Sequence, residues 1–444
     1  MARLFGTDGV RGLANVDLTA PLALELGEAA ARLTIQGRPA SGHKPKAIIG
    51  RDTRISGEFL DHALAAGLAS AGMDVVRVGV VTTPTVAHLT ASSSVDLGVM
   101  ISASHNPMPD NGIKFFAHGG YKLPDQVEDQ IQELLNTSWD RPTGAAVGEV
   151  EYDDDWAEKA YVEHLMTSLG TDLHGLRIAV DCANGGASFL APEAFRQAGA
   201  DAVVINAAPD GRNINDKAGS THPEQLQALT VASEADFGVA YDGDADRCLA
   251  VDRDGNIVDG DKIMGALAVH MRDEGQLAKD TLVVTVMSNL GLILAMQEAG
   301  IKTVQTGVGD RYVLEAMLEG GYSLGGEQSG HIIAKKYATT GDGILSSLLL
   351  ARMVKESGRD LADLTSFIKR LPQTLINVGG VDRSRANTDP AVQEAVAAAE
   401  AVLGNTGRVL LRPSGTEPLV RVMVEAATQS QADGVASRLA DVVK

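Results

Sequence analysis

Three stretches of this chain repeat one plan: "ASAGMDVVRVG" (69–79), "RQAGADAVVIN" (196–206) and "QEAGIKTVQTG" (297–307). Each reads as a helix end, an Ala-Gly pair, then a β-branched strand. Gly72, Gly199 and Gly300 stand where a helix C-terminus favours a left-handed residue. An apolar run opens each unit: "AIIG" (47–50), "RIAVD" (177–181) and "LVVTV" (282–286). A strand, a helix and a second strand in that order form a βαβ unit, and apolar β-branched strands predict parallel sheet covered on both faces. The chain therefore carries three copies of an α/β unit.

The copies extend to their chemistry. "DLGVMISAS" (96–104) and "DFGVAYDGD" (236–244) align without a gap, which puts Ser102 and Ser104 in the places of Asp242 and Asp244. "YSLGGEQSGH" (322–331) aligns more loosely as a third strand end. Ligands of open α/β sheets gather beyond the carboxyl ends of strands, so three such ends predict one composite site. From about Leu371 the pattern changes to hairpin strands and a last helix (430–443), the mark of a small α+β domain. The predicted organisation is three related α/β domains with mixed sheets, over 1–157, 158–255 and 256–369, and a C-terminal α+β domain over 370–444.

A chain of 444 residues is too long for a single core. No run reaches the roughly 18 apolar residues of a membrane span, and the N-terminus lacks an apolar signal core, so a cytoplasmic protein is expected. Two cysteines, Cys182 and Cys248, exclude a disulfide scaffold and read as packing. The net charge of −20 argues against nucleic acid as a partner, while an anionic small molecule requires only a local basic cleft.

Asp242, Asp244 and Asp246 in "YDGDADRC" are alternate carboxylates that repel one another unless a cation neutralises them. A solvated acidic turn is the plain alternative, and an EF-hand is disfavoured by Arg247 and Arg253 at its sixth and twelfth positions. All-oxygen ligands favour Mg²⁺ over Zn²⁺. Ser104 follows a buried strand and precedes Asn106-Pro107, which predicts an exposed serine on a constrained loop. A helix-capping serine is the alternative. Neighbouring strand residues face opposite ways, so Ser104 and His105 do not suggest a serine hydrolase, and no G-x-S-x-G surrounds Ser104. Arg412, Ser414, Gly415 and Thr416 in "RPSGTEP" form either an anion nest suited to phosphate or an ordinary hairpin loop. Glu327 in "GGEQSGH" would repel phosphate, and with Ser329 it suits sugar hydroxyls. Arg11, Arg51 and Arg54 fall near strand ends, with a solvated surface as the plain alternative. No P-loop motif occurs.

Taken in order, "SASHNP", "DGDADR", "GEQSGH" and "RPSGTEP" resemble the α-D-phosphohexomutase superfamily over essentially the whole chain. "FGTDGVRG" and Gln328 look like its bacterial branch acting on glucosamine phosphates rather than its phosphomannomutase/phosphoglucomutase branch. The resemblance implies a four-domain, heart-shaped protein with a TBP-like last domain, and a reaction interconverting glucosamine 6-phosphate and glucosamine 1-phosphate on the way to UDP-N-acetylglucosamine. It implies that Ser104 is a phosphoserine, with glucosamine 1,6-bisphosphate as intermediate and primer. It implies one Mg²⁺ held by Asp242, Asp244 and Asp246 against Ser104. Glu327 and Ser329 match the family's sugar contacts, and Arg412, Ser414, Gly415 and Thr416 its phosphate loop. Arg11, Lys114, Arg247 and His331 match its surrounding catalytic residues. A sugar phosphate is the expected partner, with no membrane and with a homodimer as one assembly. The rival readings are the other mutases of the superfamily, a metal-dependent phosphatase using a phosphoserine, which would call for several His and Asp metal ligands, and a non-enzymatic sugar-phosphate binding module, which would need neither the aspartate triplet nor a serine facing it.

Overall fold

The computed structural model describes residues 3–6, 8–37, 44–382, 385–413 and 419–444. The chain divides into two compact units, Met1–Met287 with Ile301–Thr365, and Ser288–Gly300 with Ser366–Lys444.

The larger unit holds three mixed sheets built on one plan. In the first, the strands Asp110–Ala117, Leu97–Ile101, Lys46–Arg51 and Asp74–Val80 lie side by side in that order. Lys46–Arg51 runs parallel to both of its neighbours, and Asp110–Ala117 is antiparallel to Leu97–Ile101. The second sheet repeats this with Cys248–Asp252, Phe237–Tyr241, Arg177–Asp181 and Asp201–Ile205. The third repeats it with Ile332–Ala334, Leu324–Gly326, Thr281–Thr285 and Lys302–Thr306. Every residue of Leu97–Ile101, Phe237–Tyr241 and Thr281–Thr285 is buried, as strands with helices on both faces require. Val10–Leu13 and Val150–Tyr152 extend the first sheet at its two edges.

The three Ala-Gly pairs do what their spacing predicts. The helices Ile55–Ser70, Ala187–Gln197 and Leu290–Glu298 each end just before a glycine at positive φ, at +97° for Gly72, +83° for Gly199 and +73° for Gly300. A side chain at that φ meets its own backbone, so glycine turns the chain into the next strand at least cost.

In the smaller unit, Gln373–Gly379, Leu419–Glu425 and Arg408–Pro413 form an antiparallel sheet with Leu419–Glu425 in the middle. The helices Pro390–Leu403 and Gln429–Val443 cover an apolar core that includes Val420, Val422, Val424 and Leu439. Leu290–Glu298 belongs to this unit. The buried Glu425 carboxylate accepts from Leu290 N–H, from Asn289 Nδ2 and from Arg408. Among the described residues no helix is long and apolar enough to cross a membrane. Both cysteines are buried, and burial pushes their thiols up.

Candidate active site

The middle strands of the three sheets end at Ile101, Tyr241 and Gly326, and the next residues of each enter one cluster. After Ile101 the chain turns sharply. Ser104 takes a left-handed φ of 52° and is only 1% exposed. The expected exposed serine is thus a buried one. Its Oγ donates to Asp242 Oδ2 at 2.5 Å, so the serine and aspartate copies of the strand end meet face to face. The left-handed turn also leaves Ser104 Oγ 3.3 Å from His105 Nδ1, a contact that strand alternation does not provide.

A buried frame holds this loop. Arg54 is 0% exposed, not solvated. Its guanidinium donates to the carbonyls of Ser104, Asn106 and Pro107 at 2.9, 2.9 and 2.7 Å, and to Asp52 Oδ2 at 2.9 Å. Ser102 Oγ donates to Asp52 at 2.6 Å and accepts from Ser104 N–H at 2.9 Å. Asn215 Nδ2 donates to the Ser104 carbonyl from the second sheet's side at 2.9 Å. Gly243, between the first two aspartates, is needed for this closeness: a Cβ there would lie 2.5 Å from the Ser104 carbonyl oxygen.

The three aspartates are buried, and each offers an oxygen within 4.8 Å of the others. Asp244 Oδ2 accepts from Lys114 Nζ at 2.8 Å and from Thr83 Oγ1 at 2.6 Å, while its Oδ1 is buried with no hydrogen-bond partner. Asp246 Oδ1 is likewise buried without one. Burial, and then Asp246 and Asp244, push the Asp242 carboxyl well above its ordinary range. Three buried carboxylates grouped beside a serine hydroxyl, two of them with an orphaned oxygen, are a donor set that fits a divalent cation of the Mg²⁺ kind.

Basic groups surround the cluster. Burial works against the Lys114 ammonium, but Asp244, Asp8 and Asp246 outweigh it and hold it above its ordinary value. Lys114 Nζ also lies 2.9 Å from Asp8 Oδ2, and Arg11 pairs with the same oxygen. Arg247 Nε is buried with no hydrogen-bond partner, 3.8 Å from Asp246 Oδ1. Burial opposes the Arg247 charge, and Asp246 and Asp242 raise it nonetheless. His331 accepts from Gly341 N–H at Nε2, which leaves the proton on Nδ1, 3.5 Å from Asp246 Oδ2. Glu327 follows the third strand end, its Oε1 accepting from Gly309 N–H at 3.2 Å, with Ser329 Oγ 3.5 Å from Oε2.

Ser104, Arg11, Lys114, Asp242, Asp244, Asp246, Arg247, Glu327, Ser329 and His331 thus all belong to the larger unit. Arg412 belongs to the smaller one, on its sheet opposite Arg421, where burial and then that neighbour push its guanidinium down. Ser414, Gly415 and Thr416 lie outside the described residues. Sequence reasoning missed Asp8, Asp52 and Asn215. Asp8 stands inside the quoted "FGTDGVRG", where a carboxylate three residues before an arginine was the available signal.

Comparison with known proteins decides the lineage. The four models of the phosphoglucomutase/phosphomannomutase family match in chain order: alpha/beta/alpha domain I over 2–141, domain II over 159–255, domain III over 259–371 and the C-terminal domain over 375–442. The chain belongs to the phosphoglucomutase/phosphomannomutase family. A phosphoglucosamine mutase of Bifidobacterium animalis subsp. lactis is 60% identical over 448 residues, spanning 100% of this chain and 99% of the relative. A solved phosphoglucomutase/phosphomannomutase family protein of Burkholderia thailandensis superposes with a TM-score of 0.82 at 26% identity, over 100% of this chain and 97% of that one. The N-acetylphosphoglucosamine mutase of Aspergillus fumigatus, solved with GlcNAc-6P and magnesium, shares the fold at 20% identity and a TM-score of 0.70, over 99% of this chain and 95% of that one. Family membership makes the chain an isomerase that moves a phosphoryl group within its substrate.

Proposed function

We propose that this chain interconverts glucosamine 6-phosphate and glucosamine 1-phosphate through a phosphoserine at Ser104 and a glucosamine 1,6-bisphosphate intermediate. The observation that carries the reading is Ser104 Oγ set 2.5 Å from Asp242 within a three-carboxylate cluster. Support for glucosamine comes from the 60% identity to a phosphoglucosamine mutase over the full chain.

Phosphoryl transfer needs positioning and charge neutralisation more than covalent chemistry from the protein. In the forward step a sugar hydroxyl oxygen bonds to phosphorus as the bond from phosphorus to Ser104 Oγ breaks, and the hydroxyl proton passes to a neighbouring base. The bisphosphate then reorients, and its other phosphoryl group returns to Ser104. The new hydroxyl takes back a proton, so the enzyme ends as it began. Asp242, Asp244, Asp246 and the Ser104 phosphate would hold one Mg²⁺, which when bound neutralises charge on the transferring group.

Lys114, Arg11 and Arg247 present positive charge to the phosphate. Lys114, charged as it stands, and His331, with its proton on Nδ1, are assigned as proton donors to an oxygen that gives up its phosphoryl group. Glu327 and Ser329 are assigned to the sugar hydroxyls, and Arg412, Ser414, Gly415 and Thr416 to a substrate phosphate. Domain borders at 157/158, 255/256 and 369/370, cytoplasmic location and a homodimer complete the proposal.

The test is a coupled assay with the 6-phosphates of glucosamine, glucose and mannose, Mg²⁺ and a bisphosphate primer. Glucosamine 6-phosphate should give the highest kcat/KM. A preference for glucose or mannose phosphate would move the chain to another branch of the family.

A further inference from the structure

Lys122 stands beside the site with no role yet assigned. It ends the two-residue strand Tyr121–Lys122, its side chain is 14% exposed, and its Nζ lies 2.5 Å from both Asp8 Oδ1 and Asp310 Oδ2. Asp8 turns its other oxygen to Lys114 and Arg11. Asp310 opens the helix Asp310–Gly320, and its Oδ2 lies 3.7 Å from His331 Nε2. The path from Asp244 through Lys114, Asp8, Lys122, Asp310 and His331 therefore returns to the metal cluster at Asp246. Carboxylates alternate with basic groups along that ring, whose members lie on or beside strands of all three sheets.

Buried ion pairs contribute little net stability, because desolvation offsets their attraction. The four that run from Asp244 through Lys114, Asp8 and Lys122 to Asp310 are better explained by what they hold in place. Asp8 is the shared anchor of Lys114 and Arg11, two groups that face the transferring phosphate. Without Lys122, Asp8 and Asp310 would repel across the gap, and Lys114 would be drawn from Asp244 toward an under-neutralised Asp8. The turn at Gly309–Asp310 grips Glu327 and Lys122 together, so the sugar loop and the serine end share one fixed point.

We propose that Lys122, held between Asp8 and Asp310, is a positioning residue for phosphoryl transfer, fixing the Lys114 ammonium and the Arg11 guanidinium against the Ser104 end. The inference rests on the mutase reading and deepens it.

Wild type, Lys122→Met and Lys122→Arg are compared by kcat and KM for glucosamine 6-phosphate with Mg²⁺ and primer. The rate at which glucosamine 1,6-bisphosphate phosphorylates each enzyme is read by intact mass, and melting temperature is measured alongside. A displacement of about 1 Å in a catalytic group costs about 10²-fold, so Lys122→Met should lower kcat and the phosphorylation rate by about that factor. Its KM should stay within about threefold, because Lys122 is not assigned a substrate contact. Lys122→Arg, which restores the charge between the two carboxylates, should recover most of the lost rate. Should Lys122→Met fail to fold, Asp310→Asn replaces it and should lower kcat by about tenfold through the same route. Unchanged kcat in the folded variant, or a loss confined to KM or to melting temperature, would overturn the proposal. Wild-type turnover reports separately on the mutase reading.

Discussion

Replacing Arg54 by lysine asks whether a buried guanidinium holds the serine loop. The side chain donates four hydrogen bonds, three to carbonyls of the loop and one to Asp52. A lysine keeps the charge opposite Asp52, but one ammonium does not span three carbonyls as a planar fork does. None of the three would be orphaned outright. Asn215 also donates to the carbonyls of Ser104 and Asn106, and Asp110 N–H donates to that of Pro107. An ammonium that keeps Asp52 and one of the three carbonyls gives up two charge-assisted hydrogen bonds at about 1.5 kcal/mol each, or about 3 kcal/mol in all. The larger effect is on Ser104, whose left-handed turn depends on that carbonyl network, and a shift of about 1 Å in its Oγ costs about 10²-fold in rate. Steady-state turnover of glucosamine 6-phosphate with Mg²⁺ and primer, beside thermal unfolding, gives both numbers. A lysine variant with wild-type kcat would refute the idea that Arg54 sets the serine's geometry.

Ser102→Ala removes a hydroxyl that accepts from Ser104 N–H and donates to Asp52, so it should lower kcat by about tenfold while leaving KM unchanged in the same assay. Chelation of divalent ions should stop turnover and Mg²⁺ should restore it better than Zn²⁺; in calorimetry Asp244→Asn should bind Mg²⁺ at least about tenfold more weakly, with full activity in excess chelator removing the metal from the account. Burial raises Asp342 to about 6, against an ordinary value of 3.8. The folded protein therefore holds that proton more tightly than the unfolded chain does. The stability it contributes is present below about pH 4 and lost as pH rises through about 6, a span of about 3 kcal/mol. Melting temperatures from pH 4 to 8 should show this slope flattened in Asp342→Asn, and an unchanged slope would contradict it.

How much of this was legible from residues alone depends on how local each signal is. The βαβ copies could be read because helix ends, Ala-Gly pairs and β-branched strands occupy consecutive positions. The gapless match of "DLGVMISAS" to "DFGVAYDGD" placed the serine and the aspartates at equivalent strand ends, and the sheets put them in contact. Arg54 could not be read the same way. Its carbonyl partners lie about 50 residues along the chain, and nothing in "GRDTRISG" distinguishes a buried arginine from a solvated one. Asn215 and Ser104 are 111 residues apart, and Lys122 and Asp310 are 188 apart. Ser104 was expected to be exposed because turn residues follow it, yet the second sheet's aspartate loop covers that turn. Only the packing of one copy against another supplies such information.

The central claim is that Ser104 carries the phosphoryl group, and peptide mass mapping tests it most directly. Enzyme treated with phosphatase is incubated with glucosamine 1,6-bisphosphate and Mg²⁺, then chased with glucosamine 6-phosphate. One phosphoryl group should appear on the peptide containing Ser104, leave on the chase, and never appear in Ser104→Ala, which should also have no turnover. A phosphoryl group on another residue, or normal turnover by Ser104→Ala, would contradict the account.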